Sequence, residues 1–170
     1  CHSAWPDFQP ATYGTKRWAP VLVAWSDEHA FPGLAGYILG IGAGEAVYPP
    51  GAPAVYVTGQ VVLDGGDLST TAMPDRGAVR AVVLHELGHL VGLGHVADRS
   101  QLMFSEAEFP VRDFGPCDLR GLALVGSGPC ANVLAEMQAL KGAFPGGQFA
   151  AVALKGNRGS LRRLIRTRSL

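Results

Sequence analysis

The chain has 170 residues, 48% of them apolar, enough for one domain with a real core and too few for two comfortable ones. Twenty-three glycines and twelve prolines argue for a loop-rich mixed fold and against a helical bundle. The formal net charge is zero, but residues 151–170 carry six basic residues and no acid, which leaves residues 1–150 at −6. No apolar run is long enough to span a bilayer, and residues 1–19 lack the apolar stretch of a signal peptide.

Residues 1–19 are aromatic and proline-containing without periodicity and read as irregular chain. Pro20 to Trp25 is an apolar run of strand length, broken by Ser26-Asp27-Glu28. Gly36 to Gly42 reads as a strand interrupted by glycine, a pattern found in edge strands and where another backbone comes close. Val55 to Asp64, rich in β-branched residues and closed by Gly65-Gly66, is the clearest strand. From Asp75 to about Val91 the apolar residues recur at three and four, which predicts a helix that Gly92 stops. A shorter helix is expected over Asp118 to Val125, with Asp118 as its cap. Beyond Pro129 the pattern predicts a helix over Asn132 to Phe144, a strand over Gln148 to Leu154 and a basic tail. Cys117 and Cys130 could form a disulfide in an oxidising compartment, or all three cysteines could be free thiols.

The predicted helix runs into His85-Glu86-Leu87-Gly88-His89-Leu90-Val91-Gly92-Leu93-Gly94-His95, the pattern H-E-x-x-H-x-x-G-x-x-H. His85 and His89 are one turn apart, so both imidazoles project from one face and can approach one ion. Glu86 is one step round the helix, beside the metal and not bound to it, where it can take a proton from water. A continued helix would carry position 95 about 15 Å beyond position 85, too far to share an ion. The chain must therefore turn back, and Gly92 can supply the positive φ that ends the helix and returns His95 to the site. Three neutral nitrogens leave a fourth position open, as in catalytic zinc sites.

This motif, followed at Met103 by a methionine and carrying Asp98 at the third place after His95, resembles the metzincin clan of zinc endopeptidases, in particular matrixin-type peptidases from bacteria. Leu102-Met103-Phe104 resembles the clan's Met-turn, and Pro116 to Leu122 the start of the following helix. The resemblance implies an α+β fold: a twisted mixed sheet, an active-site helix, a Met-turn and a C-terminal helix. It implies a zinc endopeptidase that hydrolyses peptide bonds by metal-activated water, with His85, His89 and His95 as zinc ligands and Glu86 as general base. It also implies an extended polypeptide substrate that pairs with an edge strand near Gly36 to Gly42, and a secreted or cell-surface setting. The rival reading is an inactive, zinc-holding module that binds peptides.

Some departures limit the carry-over. Val96 and Ser105 stand where vertebrate matrixins usually have Ser and Pro, and Phe104 where some branches have Tyr, so neither pocket wall nor a Tyr ligand transfers. The structural zinc and calcium loop of animal matrixins has no match; His2 and His29 read as ordinary histidines. The resemblance covers about residues 15–128, and the clan's first strand, first long helix and second strand are expected to be missing. The expected organisation is a peptidase domain over 1–130, incomplete at its front, and an extension over 131–170. Either the chain is part of a longer protein, the preferred expectation, or residues 131–154 patch the sheet. The basic tail offers contact with an anionic membrane surface, though a solvated extension is the preferred reading and no nucleic-acid partner is expected.

Overall fold

A computed structural model of the chain describes residues 20–48, 51, 53–70, 72–108, 110–125, 127, 128 and 150–153. Strand β1 is Leu22–Ser26, β2 Ile38–Val47, β3 Val55–Asp64 and β4 Ala150–Ala153; helix α1 is Arg76–Leu90 and α2 Pro116–Val125. They form an α+β arrangement around one mixed sheet of order β1-β3-β2-β4, in which β1 runs parallel to β3 and β2 is antiparallel to both β3 and β4.

β3 is central because its β-branched run can be buried on both faces, and its last seven residues are all buried. On one face Val61 and Leu63 pack against Ala78 and Val82 of α1, in a cluster that also includes Leu39 of β2. On the other, Ile41 and Val62 pack with Phe31 and Leu34, which a 3-10 turn at Pro32–Leu34 folds back onto the sheet. β1 alternates between part-buried and exposed positions; Val23 is 54% exposed and Trp25 57%. Among the described residues, β1's outer edge carries no strand.

The glycines of β2 mark close approach. A Cβ on Gly42 would overlap the backbone carbonyl of Glu86, and one on Gly40 would lie 2.8 Å from Glu86 Cγ. Alternate positions of a strand share a face, so these two glycines let α1 lie directly on β2. The strand also continues to Val47, five residues past its expected end, through a bulge between Glu45 and Ala46.

Three expectations need correction. β2 is not the sheet's edge: β4 borders it from Ile38 to Gly42. The strand expected over Gln148 to Leu154 is there as β4, but it joins the edge opposite β1 and does not cover β1. α2 begins at Pro116, so Asp118 lies inside its first turn and is not its N-cap residue, although its carboxylate accepts from Gly115 N–H just before the helix. The helix expected over Asn132 to Phe144, the basic tail and Cys130 lie outside the described residues; Cys117 is a free, exposed thiol.

Candidate metal centre

Helix α1 starts where Asp75 caps it, its Oδ1 accepting from Gly77 N–H at 2.9 Å and Ala78 N–H at 3.3 Å. Arg112 grips the other oxygen of Asp75 at 2.6 Å, tying this end of the helix to the loop before α2. The buried stripe of α1 begins as core at Ala78, Ala81 and Val82, then becomes His85, Glu86 and His89. Its spacing continues while its chemistry changes. Polar groups buried on a helix's core face are costly unless something compensates them, so the C-terminal half of the stripe points to function.

α1 ends in a Schellman motif. Gly92 has φ +103°, its N–H donates to His89 O at 3.0 Å, and the N–H of Leu93 reaches back to Gly88 O at 2.9 Å. The turn that Gly92 was expected to make is therefore present. It also orients His89, because the carbonyl of Leu93 accepts from His89 Nδ1 at 2.8 Å. The returning chain is pinned by Val96 N–H donating to Met103 O at 3.0 Å. Met103 is buried beneath α1, so that a Cβ on Gly88 would lie 2.5 Å from its Sδ.

These turns bring together the three histidines that the motif singles out. The Nε2 atoms of His85, His89 and His95 lie 3.0, 3.1 and 3.2 Å from one another. Carbonyl oxygens only accept, so His85 Nδ1, 2.7 Å from Leu102 O, and His89 Nδ1 must carry their ring protons. Each of those rings then offers a bare Nε2 lone pair to the others, an arrangement that repels itself until a cation sits at its centre. A tetrahedral ion with bonds of about 2.0–2.1 Å sets ligand nitrogens about 3.3–3.4 Å apart, within a few tenths of an ångström of what is seen. The three histidines could therefore hold a metal ion. Burial is the main force keeping the rings neutral: it lowers His85 from 6.5 to about 3 and also pulls His89 and His95 below their ordinary value.

Glu86 is fully buried, its side chain against Gly40 of β2. Two residues support the site in ways the sequence does not indicate. Asp118, buried, accepts from Leu102 N–H at 2.8 Å and Gly115 N–H at 3.0 Å, and so fixes the residue whose carbonyl orients His85. Gln101, also buried, bridges Asp98 at 3.1 Å to the N–H of Cys117 at 2.9 Å. Asp98 itself is an exposed loop carboxylate, held below the usual range by Ser100, whose N–H and hydroxyl both donate to it, and by Gln101. His29 is exposed in the turn after β1, its N–H donating to Asp27.

Residues 36–114 match the family model for matrixin, a stretch that runs from the start of β2 past the third histidine and stops just before α2. The match supports a matrixin-like, metallopeptidase-type family. No curated protein and no solved structure matches the chain.

Proposed function

We propose that the chain is a zinc-dependent endopeptidase, with His85, His89 and His95 holding the ion and Glu86 acting as general base. The observation that carries this reading is the convergence of the three Nε2 atoms at 3.0 to 3.2 Å, two of their rings fixed by backbone carbonyls. Carbonyl contacts of this kind set the tautomer and orientation of metal-ligating histidines. Bound zinc would polarise the scissile carbonyl and bring the pKa of water at the site toward neutrality.

The chain's own residues supply the rest. Glu86 follows His85 on α1 and brings a carboxylate to the same end of the helix, where it accepts the proton of the attacking water and returns it to the leaving amine. Ionised, the carboxylate is a proton acceptor, and once protonated by the water it carries an O–H donor, so one group can serve both transfers. The substrate is an extended peptide whose backbone pairs with β2 near Gly40, the strand position in contact with Glu86.

Elemental analysis of the zinc-reconstituted protein tests the ligands: one zinc per chain is expected, falling sharply in His89→Ala. Glu86→Gln tests the chemistry. It should keep zinc while cleavage of a quenched fluorogenic peptide drops about 10²–10⁴-fold, the usual worth of a general base. Zinc retained in full by His89→Ala, or unchanged cleavage by Glu86→Gln, would overturn the assignment.

A further inference from the structure

Within the proposed function, β2 presents its outer backbone edge to a peptide, and that edge is already paired. Ala153 lies opposite Ile38, Val152 opposite Gly40, Ala151 opposite Ile41 and Ala150 opposite Gly42, all antiparallel. We infer that β4 is a built-in occupant of the substrate edge, so that the chain's C-terminal segment competes with substrate for the site. This inference rests on the peptidase reading for its consequence, but the pairing itself does not.

The location is what carries it. Gly40, the partner of Val152, is also the residue whose missing side chain leaves room for Glu86, with Glu86 Cγ only 2.8 Å from where its Cβ would be. β4 runs beside α1 as well as β2, and α1 carries His85, Glu86 and His89. A peptide poised for cleavage needs those same two neighbours. It needs the open backbone groups of Ile38 to Gly42 for register, and a path alongside the helix that bears the histidines. Two strands cannot occupy one edge, because each N–H and C=O of β2 pairs on that side once.

Covalent connection makes such a competitor effective despite its four residues. A tethered segment acts at an effective concentration of order millimolar, so even a weakly pairing strand raises the concentration of substrate needed to displace it. Its effect is on binding: once substrate is seated, the histidines and Glu86 are unaltered, so KM changes and kcat does not.

The test uses the full chain with Val152→Pro, since proline lacks the N–H that a residue turned toward β2 donates and its ring distorts the strand. Ala151→Pro serves as a second variant should the first fold poorly. Two measurements are made on each: hydrogen exchange at the amides of 38–42, and steady-state cleavage of a quenched fluorogenic peptide by the zinc-loaded protein. Faster exchange at 38–42 with a KM about tenfold lower and kcat unchanged is expected, as for release of a tethered competitor. Unchanged exchange, or faster exchange with unchanged KM, overturns the inference. If wild type and variants all bind zinc and none cleaves, the peptidase reading fails by itself. Affinity for the same peptide, read by fluorescence anisotropy, then decides: tighter binding by the proline variants sustains competition at the edge, and equal binding ends it.

Discussion

Asp118 and His85 bind the two backbone polar groups of a single residue, Leu102. Asp118 Oδ2 accepts the N–H of Leu102 at 2.8 Å, and Leu102's carbonyl accepts from His85 Nδ1 at 2.7 Å. A carboxylate on α2 thereby aims an imidazole on α1 without touching it, and the Met103 segment between them is held on both sides.

Replacing Asp118 by Ala should therefore reach the metal. The N–H groups of Leu102 and Gly115 lose a charged acceptor in a buried site, a loss of about 1–3 kcal/mol in stability. Zinc affinity should fall about 10–100-fold, as when an outer partner of a ligating histidine is removed. Competition with a fluorescent zinc chelator measures the affinity and urea unfolding the stability. Wild-type zinc affinity in a folded Asp118→Ala protein would show that Leu102 stays in place unaided.

Acid should destabilise the metal-free protein. His85 is held near 3 when folded and returns to about 6.5 when unfolded, so at low pH the unfolded chain binds the extra proton. Stability linked to His85 is complete above pH 6.5 and is lost as pH falls from there toward about 3, with His89 and His95 acting in the same direction. At pH 5 the loss from His85 alone is about 2 kcal/mol. Urea midpoints of metal-free protein at pH 8, 6.5 and 5 check this; a flat series would mean that these rings are not buried as neutral groups.

Much of this site was legible because its signals are local. The H-E-x-x-H-x-x-G-x-x-H spacing depends only on helix pitch and on glycine's access to positive φ, and both appear as expected in α1 and Gly92. β3 runs from Val55 to Asp64 as its β-branched composition predicts. What could not be read was decided by distant partners. Asp118 resembles a cap because an acid near a helix start usually is one, yet its carboxylate turns inward to Leu102, sixteen residues away. The glycines of β2 were compatible with an edge or with close approach, and only the position of Glu86 on α1 decides for the second. Similarly, Ala150 to Ala153 carries no sign of which edge it joins.

Gly92 and Gly94 should behave differently although both belong to the motif's loop. Gly92 combines φ +103° with Tyr56 Oη at 2.5 Å from where a Cβ would stand, whereas a Cβ on Gly94 meets nothing within 4 Å. Gly92→Val should lose zinc and cleavage together, since a β-branched residue resists the turn that returns His95. Gly94→Ala should keep both. Zinc content of the two purified variants separates them, and a zinc-replete Gly92→Val protein would mean that the chain reverses elsewhere.

Gly42 tests the seating of α1 on the sheet. A Cβ there would overlap the carbonyl of Glu86 and come within 2.9 and 3.0 Å of that residue's carbonyl carbon and Cα, all helix backbone that cannot swing aside as a side chain tip could. Gly42→Ala must push α1 away from β2, at a cost of about 1–3 kcal/mol typical of overpacking. The push acts at Glu86, between His85 and His89, so the carboxylate proposed as general base should be displaced further than the His85–His89 pair, which moves as a unit. Cleavage should therefore fall more than zinc affinity does. Urea unfolding, zinc competition and peptide turnover on the one variant provide the comparison. Equal losses in affinity and turnover would mean that the helix shifts as a whole, and no loss at all would mean that the sheet and α1 are not in contact at Gly42.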